Sequence, residues 1–183
     1  MELIKQNIQS KIIRSILIIF LGSIALTISA KIKIPFYPVP MTMQTFIVLF
    51  LGVSFGYKIG VATIGLYLLE GILGLPVFSN SPERGVGIIY FTGPTMGYLI
   101  GFLSASYLAS FVSSKDNIFK IFIKLTLSVS TIYLLGILWL GILIGWNKPI
   151  LNLGVYPFLI AEIFKVSLLT LIAKKIISLR NFI

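Results

Sequence analysis

The sequence predicts an all-α integral membrane protein, a single domain (residues 1–183) built as a bundle of six transmembrane helices. Three observations predict it. The hydrophobic fraction is 57%, against about 45–50% in an ordinary soluble domain. Only 11% of residues are charged, and the mean hydropathy is +1.05. A soluble fold of 183 residues has no interior large enough for this apolar surface, whereas the bilayer is itself an apolar solvent. The apolar runs are also too continuous for the alternating pattern of barrel strands, so the spans are read as helices.

Six segments follow along the chain. They are 12–30, 41–55, 59–75, 88–112, 118–144 and 156–177. Each is judged against the roughly 20 residues that a span needs, and the second is short by that measure. The basic residues orient them. With the N-terminus inside, the inner segments carry Lys5, Lys11, Arg14, Lys58, Lys115, Lys120, Lys124, Lys174, Lys175 and Arg180. The outer connections carry Lys31, Lys33, Arg84 and Lys148. Ten against four places both termini in the cytoplasm by the positive-inside rule.

The outer connections read as structured. "KIKIPFYPVPMTMQTF" holds Pro35, Pro38 and Pro40, which stiffen it. The Gly- and Pro-rich stretches from Gly71 to Phe102 and from Gly145 to Phe158 have the same character. The inner connections "GYKIG" and "SSKDN" are short and polar. This asymmetry predicts a pocket capped from the outside.

Composition excludes several function classes. The net charge of +10 is scattered between apolar runs, with no dense basic patch, so nucleic acid is not the expected partner. Cysteine and histidine are both absent, which removes disulfide, thiol and most metal chemistry. No metal or cofactor is expected. There is no G-x-x-x-x-G-K-[ST] loop, no H-E-x-x-H and no G-x-S-x-G elbow. No cleavable signal peptide is read, because the first apolar run is too long. With five acids in the chain, an enzyme has little to work with.

The candidate site begins with Glu162 and Lys165 in "AEIFK". Their i, i+3 spacing puts them on nearly one helix face, roughly 9–14 Å below the outer end of the sixth segment. Intramembrane charges cost about 2.5–3.5 kcal/mol each on insertion scales and mark a function or a partner. An internal ion pair and a ligand site are compatible readings. Glu70 sits near the outer end of the third segment, where an interfacial role competes with a ligand role. Asn80 offers a donor and an acceptor, or serves a turn among Ser79, Ser81 and Pro82. Arg84 can fork onto a carboxylate or face solvent beside Glu83. Thr42 and Gln44 either cap the second helix or face the cavity. Ser15, Gly22, Ala25 and Ser29 form a stripe of small residues on the first helix, suited to packing within the bundle or docking on a partner.

Four stretches, "PFYPVPMTMQTF", "LYLLEGILGLPVFSN", "GPTMGYLIGF" and "GVYPFLIAEIFKVSLLTLIA", together resemble the BioY family, the biotin-specific substrate-binding components of energy-coupling-factor transporters. They occur in order, from about Pro35 to Lys175. The resemblance implies high-affinity capture of biotin from outside, at the cell (cytoplasmic or inner) membrane. It implies docking on a transmembrane coupling protein that works with two cytoplasmic ATPases, so ATP hydrolysis belongs to partners. It implies Asn80, Glu162 and Lys165 as ligand contacts, the first outer loop with Thr42 and Gln44 as the cover of the pocket, and Ser15, Gly22, Ala25 and Ser29 as the docking face; Tyr98 and Arg84 complete the candidate substrate-binding set. Ala161-Glu162 stands where the family often has Gly-Asp, which keeps the carboxylate one methylene longer. The loop "SNSPERGVG" departs from the family's glycine-rich form. The competing readings are a substrate-binding component for another vitamin, a stand-alone secondary biotin transporter, and an intramembrane enzyme using Glu70, Glu162 and Lys165.

Overall fold

The computed structural model describes residues 2–182, with side chains from Gln9 onward; Met1, Ile183 and the side chains of Glu2 and Lys5 lie outside the described residues. The chain is mostly helical, with six α-helices: α1 (Glu2–Lys31), α2 (Gln44–Ile72), α3 (Met96–Ala109), α4 (Ile118–Ile144), the short α5 (Ile150–Gly154) and α6 (Leu159–Ile176). A two-stranded antiparallel ribbon, β1 (Lys33–Ile34) with β2 (Met41–Thr42), lies between α1 and α2. Four stretches are long and apolar enough to cross a membrane: Gln9–Lys31, Gln44–Ile72, Ile118–Ile144 and Ile150–Phe182. Met96–Ala109 is a shorter apolar helix. The protein is a multi-pass membrane protein, and its exposed Ile, Leu and Phe side chains face a solvent that suits them.

The expected second and third segments meet in α2. Gly56 interrupts it with φ 76° and ψ 176°, backbone angles that only glycine adopts readily. The chain reverses there. The Gln44 amide donates to the Tyr67 hydroxyl at 2.7 Å, although a straight helix would hold residues 23 apart about 34 Å from each other. A Cβ on Gly60 would lie 3.2 Å from the Gly52 backbone. The arms 44–55 and 57–72 therefore lie against each other, with α3 close over Gly52 through Ser106.

The expected fourth helix, 88–112, is shorter in the structure. Its first part is a 3-10 turn, Gly87–Thr92, and the α-helix starts only at Met96, because Gly93 and Pro94 intervene. The expected fifth helix coincides with α4. Asn117 caps its first turn by accepting from the Lys120 amide at 2.8 Å, and Gly145 ends it at φ 91°. The expected sixth helix is a 3-10 turn, Tyr156–Phe158, followed by α6.

The stripe on α1 divides. Gly22 and Ser29 are buried, Gly22 against Thr63 and Leu51 of α2. Ser15 and Ala25 are half-buried. The inward half of the stripe is thus used inside the bundle, where small residues let α1 approach α2 closely. The Ser23 hydroxyl beside this stripe donates to the Glu70 carboxylate. That contact ties Glu70 into the seam between α1 and α2.

Candidate functional site

The site is built where α2 begins and α6 descends. The three side chains Thr45, Glu162 and Lys165 meet there, 6% exposed at Glu162 and 4% at Lys165. The Lys165 ammonium donates to Glu162 Oε1 at 2.7 Å, to Thr45 Oγ1 at 3.0 Å and to the Thr42 carbonyl at 2.7 Å. Three acceptors match its three N–H donors. The Thr45 hydroxyl in turn donates to Glu162 Oε1 at 2.9 Å. Glu162 Oε2 is buried and has no hydrogen-bond partner among the described residues. An unpaired carboxylate oxygen in an apolar environment is costly; the Tyr133 hydroxyl interacts with this carboxylate from the same wall without a hydrogen bond of normal geometry, so a ligand donor there would complete the oxygen's shell.

Beside it lies a cavity of about 540 Å³ of atom-free space, part of it open to solvent. The loop residues Val39 to Thr42 roof it, Leu99, Phe102, Ile132 and Phe158 give it an apolar body, and Gln44, Thr45, Ser79, Tyr90, Thr95, Tyr98, Tyr133 and Glu162 are its polar groups. Tyr98 is fixed by packing its ring on Gly136 and donating its hydroxyl to the Gly154 carbonyl at 2.9 Å. Among the described residues no lysine or arginine lines this cavity.

The expected site residues therefore separate. Glu162, Gln44, Thr42 and Tyr98 come together on the cavity wall. Lys165 stands behind Glu162, its donors already used, and is not on the wall. Asn80 and Arg84 line a small neighbouring pocket instead, with Gly93 and Pro94, and share only Tyr90 and Thr95 with the main cavity. Asn80 Oδ1 accepts from Lys33 at 3.1 Å, and Arg84 donates to the Pro38 carbonyl at 2.9 Å while lying over the Tyr37 ring. These contacts belong to a strap that ties the roof down. Lys31 donates to the Phe78 and Ser81 carbonyls at 2.8 and 2.7 Å, and Lys33 to the Ser79 carbonyl at 2.7 Å. Three of the four basic residues assigned to the outer side are spent in this way.

Thr45, Ser79, Tyr90, Thr95 and Tyr133 escaped the sequence reading. Thr45 alone had a signal, since it lies one residue after Gln44 at the start of α2, and the arrangement of α6 against that turn is a tertiary fact.

Comparison with known proteins agrees with this architecture. Residues 4–182 match the model of the BioY family. The chain is 35% identical over 154 residues to a probable biotin transporter BioY of Pyrococcus horikoshii, covering 84% of this chain and 90% of that one. It is 30% identical over 152 residues to the biotin transporter BioY of Thermotoga maritima, covering 82% and 88%. Among solved structures, the S-component for biotin from an ECF-type ABC transporter superposes with a TM-score of 0.75 at 25% identity, covering 90% of this chain and 91% of that one. A family match over nearly the whole chain, joined to a matching fold, makes this chain a member of the BioY family.

Proposed function

We propose that this protein captures biotin at the outer face of the cytoplasmic (inner) membrane and delivers it inward as the substrate-specific component of an energy-coupling-factor transporter. The observation that carries the reading is the unpartnered Glu162 Oε2 on the wall of a largely apolar cavity. Biotin has an apolar body and a ureido ring with two N–H donors. A ureido N–H on Oε2 would supply the hydrogen bond that this buried oxygen lacks. Gln44, Tyr90, Tyr98 and Tyr133 supply further polar contacts around the ring, and the apolar wall takes its body.

Both termini lie in the cytoplasm on this reading, and the chain crosses six times: once each with α1, α3, α4 and α6, and twice with the arms of α2. The ribbon and its strap close the site from outside. Energy comes from a transmembrane coupling protein and two ATPase subunits, since no phosphate-binding loop occurs in this sequence. The coupling protein docks along α1, where Ser15 and Ala25 are the half-open members of the small-residue stripe.

The test is retention of biotin by the purified protein, measured by isothermal calorimetry in detergent beside a panel of other vitamins. Tight binding of biotin alone is the expected result. Tight binding of another vitamin with no response to biotin would reassign the ligand and leave the fold standing.

A further inference from the structure

Thr45 occupies a place that only a hydroxyl can fill. It accepts from Lys165 at 3.0 Å and donates to Glu162 Oε1 at 2.9 Å, so it is donor and acceptor at once inside a buried ion pair. It comes from the first turn of α2, 117 residues from Glu162 and 120 from Lys165. We infer that Thr45 is a positioning residue for biotin recognition: it holds Glu162 by Oε1 so that Oε2 stays the free acceptor. The inference rests on the biotin reading above.

The physical reason is a competition for one cation. A lysine beside an untethered carboxylate can pair with either oxygen, and the pair can rotate about the glutamate's last side-chain torsion, which is broad and roughly two-fold. A full flip merely exchanges the two equivalent oxygens, but at intermediate angles both would share the Lys165 ammonium and neither would face the cavity as a free acceptor. Two donors converging on Oε1, one from α6 and one from α2, remove that freedom. The same hydroxyl completes the shell of Lys165, whose third acceptor is the Thr42 carbonyl in the roof ribbon. Holding Glu162 ready before the ligand arrives spares the ligand the cost of ordering it. Glutamate needs this more than a shorter acid would, since it has one more rotatable bond to fix.

The experiment is a double-mutant cycle read by biotin calorimetry on the full chain in detergent. Thr45→Val keeps the shape and removes both hydrogen bonds, and is expected to weaken biotin binding about 10- to 100-fold. Thr45→Ser keeps the hydroxyl and is expected to restore most of that loss. In a Glu162→Gln background, Thr45→Val is expected to cost less than about threefold, because the group it positions is no longer a carboxylate. Equal losses from Thr45→Ser and Thr45→Val would overturn the inference. So would a Thr45→Val loss of the same size in both backgrounds, which marks a packing defect. Failure of the unsubstituted protein to bind biotin would instead defeat the biotin reading itself.

Discussion

Lys165 and Glu162 touch at 2.7 Å through a single carboxylate oxygen, and the second oxygen has no partner among the described residues. The pair is thus half closed. One oxygen pairs with the lysine, and on the proposed reading the other takes a donor from the ligand. Glu162→Ala removes the acceptor and is expected to weaken biotin binding by about 100-fold, measured by calorimetry. Full-strength binding by a folded Glu162→Ala protein would place the ligand elsewhere.

Stability separates the two members of the pair from their joint removal. Lys165→Met alone leaves a buried carboxylate without its cation, and is expected to cost about 3–5 kcal/mol. Glu162→Gln with Lys165→Met removes both charges and is expected to recover most of that loss, but not biotin binding. Thermal unfolding in detergent reads the first outcome and calorimetry the second.

The strap makes a kinetic prediction. Lys33 and Arg84 hold the roof ribbon and the following loop through the Ser79 and Pro38 carbonyls. Replacing both by alanine is expected to speed biotin release several-fold and to raise hydrogen exchange in residues 33–42. An unchanged release rate would show that the roof does not gate the site.

Close packing predicts opposite signs at two glycines of α2. A methyl group on Gly52 would run into the Ser106 carbonyl of α3, so Gly52→Ala is expected to destabilise by about 1–3 kcal/mol. Gly65 has open space around it, and Gly65→Ala is expected to be neutral or to stabilise by up to about 1 kcal/mol. Thermal midpoints of the two variants decide this.

The loop before α4 gives a pH dependence. Asp116 accepts from Lys124 at 2.6 Å and from the Ser113 amide at 2.9 Å, and these contacts hold its carboxyl down to about 2. Its folded value is depressed, so its stabilisation is complete above its ordinary value of 3.8 and is lost as pH falls toward about 2. Asp116→Asn is expected to flatten the thermal midpoint between about pH 5 and about pH 2.5.

What the sequence made legible was local. Asn117 and Gly145 bracket α4 as cap and stop, and its bounds are read directly. Glu162 and Lys165 are three residues apart on one helix, so their pairing needs no knowledge of the fold. The apolar run "GIIYF" hid a 3-10 turn, because hydrophobicity does not separate that turn from an α-helix. Thr45 beside Glu162, and Lys33 beside Asn80, join residues 117 and 47 apart, and no spacing rule reaches that far. Asn80 and Arg84 offered the right chemistry for a ligand. In the structure Asn80 Oδ1 accepts from Lys33 and Arg84 donates to the Pro38 carbonyl, contacts that no spacing rule predicts.

The reversal at Gly56 also bears on how the chain enters the bilayer. At about 1.5 Å per residue the arms 44–55 and 57–72 reach about 18 and 24 Å, each less than the roughly 30 Å hydrocarbon core. A substitution at Gly56 that straightened α2 would fuse them into one long span. On the proposed topology of six crossings, every later helix would then emerge on the opposite side, and the C-terminus would be delivered outside. On that topology, the backbone at Gly56 sets the parity of insertion for the second half of the protein.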